Sequence, residues 1–425
     1  MKFRTKKVVP GAVAGEVQVQ LCIPMQGVMR DVREAFFGLC VEAGKATLLS
    51  MMEADRERLC GPKGHADARR EAYRGGHTAS SVVLGGRRLA VPRPRARRIE
   101  GGELALPTFT WAAASDPLDR ATMQAIAAGV SSRRYHGTLD PLPAKERERA
   151  VSRSAVSRRF VALSAEQVQA WLARKIDGLD LPAVMIDGIY FADRVVLVAL
   201  GIDAQGKKHI LGLREGSTEK TAVVRAMLSD LVERGLNADR PRLWVIDGGK
   251  ALRRAIVETF GASARIQRCQ EHKRRNVIEH LPEALQAGTS RALRDAWSSA
   301  DAGLARRQLE RLATRLGRDH PGAAASLREG MDDTLSLQGL GIGGALYKTL
   351  RTTNPIENLN GNIAKYARNV KRWRDGSMVQ RWVASALSDA ADRFRALRGY
   401  REIPKLIAAL QTHSDLTDAT QRKVA

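Results

Sequence analysis

Aromatic residues make up only 5% of this 425-residue chain. That is too few for a protein built mainly on stacking bases against rings. Cysteine is scarce as well. Cys22, Cys40, Cys60 and Cys269 form no C-x-x-C pair, so neither a zinc ribbon nor a disulfide framework is expected. Long apolar runs are missing. Val195 to Ile202 is among the longest, far short of the ~20 apolar residues of a spanning helix. The N-terminus, MKFRTKKVVPGAVAGEV, is basic but has no continuous apolar core of a signal peptide, so a cytoplasmic protein with no membrane partner is expected. Acids are in deficit, 46 against 70 Lys and Arg, for a formal net charge of +24. An excess of that size favours a nucleic acid, because each neutralised phosphate releases condensed counterions. The length corresponds to about two or three domains.

One stretch stands out against that basic background, TTNPIENLNGNIAKYARNVKRWRDGSMVQRW from Thr352 to Trp382. Glu357 stands near the start of a predicted helix. Six basic residues follow between Lys365 and Arg381, with Asp375 the one acid among them. An isolated carboxylate before such a run suits a metal ligand beside phosphate-binding cations. Arg351, Lys365, Arg368, Lys371, Arg372 and Arg374 are the candidate DNA contacts. Glu357 has a second reading. With Asn354 as N-cap and Pro355 first in the helix, it falls where a capping-box glutamate belongs.

Upstream, residues 1–78 read as mainly helical, clearest from Asp31 to Arg58, and suit packing or dimerisation. Residues 79–114 read as a basic hairpin and arm, turning at Gly85-Gly86. Pro92 and Pro94 keep the second arm extended and unpaired on one side. Its Arg93, Arg95, Arg97 and Arg98 suit a DNA groove or, alternatively, a solvated linker. Residues 115–178 read as a helix-turn-helix-like DNA-binding region. One helix spans Pro117 to Ala128 and a second begins at Ser131 or Ser132. A third, capped by Ser152 or Ser154, presents Arg153, Arg158 and Arg159 as a recognition helix would.

The pattern changes near Leu181. Three strands with turns near Ala192-Asp193 and Asp203 to Gly206 precede a helix from about Ser217 to Arg234. Strand PRLWVIDGG, helix KALRRAIVETFG, strand ARIQRC and helix QEHKRRNVIEHL follow. That order predicts an α/β RNase H-like catalytic domain over 179–281, interrupted by an all-α insertion over 282–350 and completed by helices over 351–398, with a polar tail over 399–425. GIDAQGKK, from Gly201, nearly matches a phosphate-binding loop. It has Lys208 where Ser or Thr is needed and links two strands, so it reads as a hairpin turn and no nucleotide cofactor is expected.

Asp187 in AVMIDGIY and Asp247 in LWVIDGG each end an apolar strand and precede glycine. Taken singly, Asp-Gly is a turn former. Neighbouring strands lie ~4.8 Å apart, so two such acids on adjacent strands could share divalent ions. Oxygen-only ligands favour magnesium, with manganese as a substitute. Asp193 reads as a turn residue, and Glu219 as a cap or a support of the site.

The ordered segments VMIDGIY, REGSTE, LVERGL, VIDGGKALRRAI, QRCQEHKRRNV and TTNPIENLNGNI resemble bacterial Mutator-type insertion-sequence transposases, most clearly from about residue 180 to 382. The resemblance implies a DDE enzyme whose metal-binding, catalytic triad is Asp187, Asp247 and Glu357, holding two Mg2+ ions. It places Cys269 and His272 at the family's C-x-x-H position beside the catalytic centre. Two ligands do not make a zinc site, and the residue-level alternative is a buried Cys with a His bonding a carbonyl or phosphate. Arg274 and Arg275 on the same predicted helix are further candidate DNA contacts. Trp297 in the insertion either stacks on DNA or packs in a core. The resemblance also implies cleavage at the element end to free a 3′-hydroxyl, which is then joined to target DNA without ATP. The implied partners are terminal inverted repeats, target duplex and a homodimer or larger synaptic assembly, at the nucleoid. Two alternatives are an RNase H-like nuclease without strand transfer and a catalytically inactive DNA-binding regulator.

Overall fold

The structure is a computed structural model that describes residues 32–65, 67, 70–116, 125–126, 130, 134–135, 148–150, 153–191, 193–216, 221–261, 264–368 and 370–424. The chain divides into two compact units, Met1–Ala162 and Leu163–Ala425. Among the described residues no helix is long and apolar enough to cross a membrane.

The first unit holds helix α1 (Val32–Cys60), the hairpin strands β1 (Ala72–Leu84) and β2 (Arg87–Arg98), the short β3 (Glu103–Leu104), α2 (Pro107–Ala114) and β4 (Glu148–Ala150). Gly85 and Gly86 have φ of 61° and 76°, the left-handed pair that a two-residue hairpin turn requires. The buried carboxylate of Asp116 locks this turn, accepting from both amides at 2.8 and 2.5 Å. On its free edge β2 pairs β4 at Arg87–Leu89 and β3 at Ala96–Arg97. Pro92 and Pro94 fall in the gap between, where no amide is needed. Leu48 and Met52 of α1 pack against Val82, Val91 and Ala96 of the hairpin. Residues 72–78, expected as helix, belong to β1. The helices expected over Pro117 to Ala128 and from Ser131 or Ser132 onward lie largely outside the described residues. Helix α3 (Arg153–Ala173) carries the chain onward.

The second unit is built on a five-stranded sheet in the order β7-β6-β5-β8-β9. Its strands are β5 (Ala183–Phe191), β6 (Arg194–Ile202), β7 (Lys208–Gly216), β8 (Leu243–Ile246) and β9 (Arg265–Arg268). β5 pairs antiparallel with β6 and parallel with β8. Strand β6 is buried from Val195 to Ile202, which is why it reads as an unbroken apolar run rather than an alternating one. The Ile202-to-Lys208 segment is a hairpin turn, with Asp203 accepting from the Gln205 and Lys207 amides at 2.9 and 2.8 Å.

Helices α4 (Thr221–Glu233) and α5 (Lys250–Phe260) cover one face, packing Val224, Leu228 and Ile256 on Val184, Ile186, Trp244 and Ile246. The other face meets α12 (Asn354–Ala367) and α13 (Gly376–Ala391), with Ile356, Leu359 and Val383 on Met185, Val198 and Val245. Between β9 and α12 in sequence the chain forms α6 (Gln270–Ile278), α7 (Glu283–Ser298), α8 (Ala302–Asp319), α9 (Pro321–Arg328), α10 (Ser336–Gly339) and α11 (Gly344–Leu350). Leu293, Trp297, Leu309, Leu316 and Leu327 give this helical segment its own core. The buried Lys273 of α6 fastens it, donating to the Ser326 carbonyl at 2.5 Å and the Glu329 carboxylate at 3.1 Å.

The basic run after Glu357 does not stay on one helix: α12 stops at Ala367, and Asp375 caps α13 by accepting from the Met378 amide at 2.7 Å. Nor is 399–425 a polar tail. It forms α14 (Ile403–Val424), whose Ile403, Leu406 and Leu410 are buried in the sheet-side core. Their i, i+3, i+7 spacing is that of a core-facing helix. Leu406→Ala should therefore lower stability to denaturant by about 2–5 kcal/mol. A change within about 0.5 kcal/mol, as at a solvated position, would restore the tail.

Candidate active site

The sheet register brings the two strand-end aspartates together. Met185 on β5 pairs with Val245 on the parallel β8. Asp187 and Asp247 each lie two residues further on. They are therefore level with one another on adjacent strands, ~4.8 Å apart in the pairing direction. Side chains alternate along a strand, so both carboxylates share the face of Met185 and Val245, the face that α12 covers. Burial raises the Asp187 carboxyl first, and the negative charges of Asp247 and, more weakly, Glu357 raise it further. A hydrogen bond from the Gly188 amide and the nearby His272 pull the other way, and the net value is about 7. The Asp247 carboxylate accepts from the Gly249 amide at 2.8 Å. Gly248 between them has φ of 107°, a conformation that favours glycine.

Helix α12 presents Glu357 to this pair. Thr353, not Asn354, is the N-cap, so Glu357 falls one residue later than a capping-box position. Its carboxylate accepts from the Thr353 hydroxyl instead of turning back to a cap amide. One helical turn on, the buried Asn360 donates from Nδ2 to the Asp187 carboxylate at 2.7 Å. Its Oδ1 is buried without a hydrogen-bond partner. In the sequence Asn360 is marked only by its i+3 spacing from Glu357, which puts the two on one face of a helix.

Cys269 and His272 adjoin the third acid. Burial pushes the Cys269 thiol up, but hydrogen bonds with His272 and Thr353 outweigh it, and the thiol sits below its ordinary range. The same bond raises His272 against burial, with the charges of Cys269, Glu357 and Asp247 adding to it. His272 Nδ1 lies 3.3 Å from the Thr353 hydroxyl and 3.7 Å from the Glu357 carboxylate. Cys269, His272 and Glu357 offer ligand atoms within 4.8 Å of one another. The Cys-His pair already bonds internally, whereas Asp187 feels the negative charges of Asp247 and, more weakly, of Glu357, which itself lies nearest to Cys269 and His272. All-oxygen donors that repel one another, with the orphaned Asn360 carbonyl beside them, fit a hard divalent cation such as Mg2+ or Mn2+.

The candidate DNA contacts divide. Arg93 and Arg95 both bridge to Glu103, at 2.7 and 3.0 Å, leaving Arg97 and Arg98 exposed on that arm. Arg159 pairs with the buried Asp116 at 3.5 Å, while Arg153 and Arg158 are exposed. Arg274 is held by Glu271 at 2.9 Å, and Arg275 is exposed. Arg351 is half-buried over the Tyr347 ring. Lys365, Arg368, Lys371, Arg372 and Arg374 are all exposed on or after α12. Trp297 is no DNA contact. It is 2% exposed in the core of the helical segment, with its indole donating to Thr334 at 3.1 Å. Asp193 lies exposed between β5 and β6, and Glu219 lies outside the described residues.

Residues 29–396 match the family described as Transposase, Mutator family. The chain is 26% identical over 343 residues to the transposase for insertion sequence element IS256 in transposon Tn4001 of Staphylococcus aureus, covering 76% of this chain and 83% of that one. It is 26% identical over 376 residues to the transposase for insertion sequence element IS406 of Burkholderia multivorans, covering 84% and 92%. It is also 26% identical over 259 residues to the transposase for insertion sequence element IS6120 of Mycolicibacterium smegmatis, covering 60% and 77%.

The raised Asp187 carboxyl has a consequence for the metal-free protein. An acid whose folded value lies above its unfolded one contributes stability that is complete below the unfolded value of 3.8 and is lost as pH rises through about 7. In EDTA, Asp187→Asn should melt above wild type at pH 8, with the gap narrowing toward pH 5. Parallel melting curves at both pH values would refute the raised carboxyl.

Proposed function

The chain belongs to the Mutator family of transposases, and from that membership we propose that Asp187, Asp247 and Glu357 are the metal-binding, catalytic triad of an insertion-sequence transposase. The observation that carries this reading is the strand register that sets Asp187 level with Asp247 on the face that α12 covers, with the charge of Glu357 also reaching Asp187. The strand order, three antiparallel strands followed by two parallel ones, supports an RNase H-like catalytic domain. The helical segment between α6 and α12 is then its all-α insertion, while residues 1–178 supply terminal-repeat binding and dimerisation.

Divalent ions held by the three carboxylates, Mg2+ or Mn2+, would lower the pKa of an attacking water and stabilise the leaving oxygen. The residues do the rest. Sheet register fixes the two aspartates, and Thr353 orients Glu357. Asn360 holds one Asp187 oxygen by donation, which keeps the other turned to the site. His272, whose imidazole the bond with Cys269 raises, stands 3.7 Å from the Glu357 carboxylate, close enough to donate to negative charge that develops on the phosphoryl group. The first step frees a 3′-hydroxyl at the element end. In the second, that hydroxyl attacks a target phosphodiester, and one ester is exchanged for another without ATP. Exposed cations on and after α12 hold the DNA backbone.

Element-end DNA incubated with the protein and Mg2+ should yield both cleaved and joined products. Asp187→Asn, Asp247→Asn and Glu357→Gln should each lower both by at least about a hundredfold while DNA binding persists. Wild-type joining by any one would remove that residue from the triad. Cleavage without joining of pre-cut 3′-hydroxyl ends would favour a nuclease, and binding without either a regulator. Asn360→Ala should lower the rate at saturating DNA and raise the Mg2+ needed for half-maximal cleavage. An unchanged Mg2+ requirement would reduce Asn360 to a packing residue.

A further inference from the structure

Glu357 has a second set of neighbours besides the aspartates. Cys269 stands at the N-cap of α6, His272 follows three residues on, and Glu357 lies in the first turn of α12. One sulfur, one imidazole nitrogen and one carboxylate oxygen from these residues all lie within 4.8 Å of one another. The Cys269 and His272 side chains are hydrogen-bonded, and His272 Nδ1 is 3.7 Å from the Glu357 oxygen. Donors around a tetrahedral zinc ion stand roughly 3.5 Å apart, given bonds of ~2.0–2.3 Å. The nitrogen and the carboxylate are already close to that spacing. The frame around them is fixed from three sides. The Cys269 amide donates to the Ile246 carbonyl at 2.8 Å, the Gln270 amide to the Arg351 carbonyl at 3.0 Å, and the Thr353 hydroxyl to the Glu357 carboxylate. Cys269 is fully buried, whereas the His272 and Glu357 side chains are 29% and 33% exposed, so the cluster opens to solvent on their side.

These donors differ in kind from the two aspartates. Thiolate and imidazole favour zinc over magnesium, which takes oxygen ligands and keeps its waters. Thiolate and carboxylate together carry two negative charges, which one Zn2+ neutralises. In the sequence the C-x-x-H pair supplies only two ligands. The fold adds Glu357 as a third, and water can fill the fourth position, as it does in open zinc sites. On binding, the thiol proton leaves to solvent, and sulfur and Nδ1 exchange their mutual hydrogen bond for bonds to the metal.

Glu357 thus stands between two sets of donors, a soft one at Cys269 and His272 and a hard one at Asp187 and Asp247. We propose that Cys269, His272 and Glu357 form a zinc site, and that Zn2+ bound there draws Glu357 away from the two aspartates and shuts off cleavage. The inhibition rests on the acid triad being the site of cleavage; the zinc site itself does not.

The test uses the full-length protein without an affinity tag and Co2+ as the spectroscopic probe of the zinc site. Wild type should show a sulfur-to-cobalt charge-transfer band, which equimolar Zn2+ erases. Cys269→Ser should remove the band. His272→Ala and Glu357→Gln should each weaken Co2+ binding at least about tenfold, whereas Asp187→Asn should leave it largely unchanged. Cys269→Ser alters a buried side chain and can fail to fold, so the two partly exposed positions decide the matter, each variant checked by its melting curve. The zinc site is overturned if wild type shows no band, if the band survives Cys269→Ser, or if folded Glu357→Gln binds Co2+ as tightly as wild type. In the cleavage assay, saturating Zn2+ should lower the product about as far as Glu357→Gln does, and more Mg2+ should raise the Zn2+ needed, because each ion weakens the other's binding by the same factor. Full cleavage with the zinc site filled would overturn the inhibition. If Glu357→Gln loses Co2+ binding yet still cleaves, the acid triad fails and the zinc site stands.

Discussion

Because β5 and β8 run parallel and pair Met185 with Val245, the carboxylates two residues further along, Asp187 and Asp247, are held side by side. No flexible side chain intervenes to let them part. Both strands are buried on both faces, so the backbone cannot relax without opening two cores. The repulsion is a local cost offset by apolar packing elsewhere. It surfaces as a carboxyl at Asp187 that burial and its neighbours raise to about 7. A site that strains to hold negative charge is one where a divalent cation gains most from binding.

The third acid comes from a distant part of the chain, and the β9–α6 junction sets its position. The Gln270 amide donates to the Arg351 carbonyl at 3.0 Å, fixing the segment that leads into α12. The Gln270 side chain reaches Thr334 at 2.9 Å, and Lys273 and Arg268 both meet Glu329 at the end of α9. One helix thus grips the helical segment with its buried side and, through Cys269, His272 and Thr353, touches Glu357 with the other. Gly248 belongs to the same arrangement. A Cβ there would come within 2.0 Å of the Arg268 guanidinium, so the loop after Asp247 and the clamp on Glu329 share one space.

Much of this was legible in the sequence because it depends on local pattern. Unbroken apolar runs mark buried strands, Asp-Gly marks their ends, and Gly85-Gly86 marks a hairpin. What was not legible depends on partners distant in sequence. Asn360 is an unremarkable helical amide until α12 lies over β5. Trp297 and Trp373 are alike as letters; only packing makes one a core residue with a bonded indole and the other a half-buried ring against Phe191. The capping box failed by one residue because the Thr353 hydroxyl found the Glu357 side chain four residues on. The terminal helix was misread because its charged residues outnumber a narrow apolar stripe at 403, 406 and 410.

Charge shows the same division between composition and structure. A net charge of +24 says that phosphate is welcome but not where. Arg93, Arg95, Arg159 and Arg274 are engaged with Glu103, Asp116 and Glu271, and their attraction for DNA is largely used within the fold. Exposed cations of the second unit occur on several helices, and one group of them, Lys365, Arg368, Lys371, Arg372 and Arg374, lies on α12 beyond Glu357 and on the connection that follows it. That connection is not helical between Val370 and Asp375, so Lys371, Arg372 and Arg374 are not tied to a helical repeat and can follow a strand of phosphates. Each phosphate so neutralised adds about 0.9 to the salt dependence of binding, and none of those charges needs to lie against the carboxylates. Exposed cations and acids are thereby kept apart along one helix and its extension, so that neither cancels the other's charge.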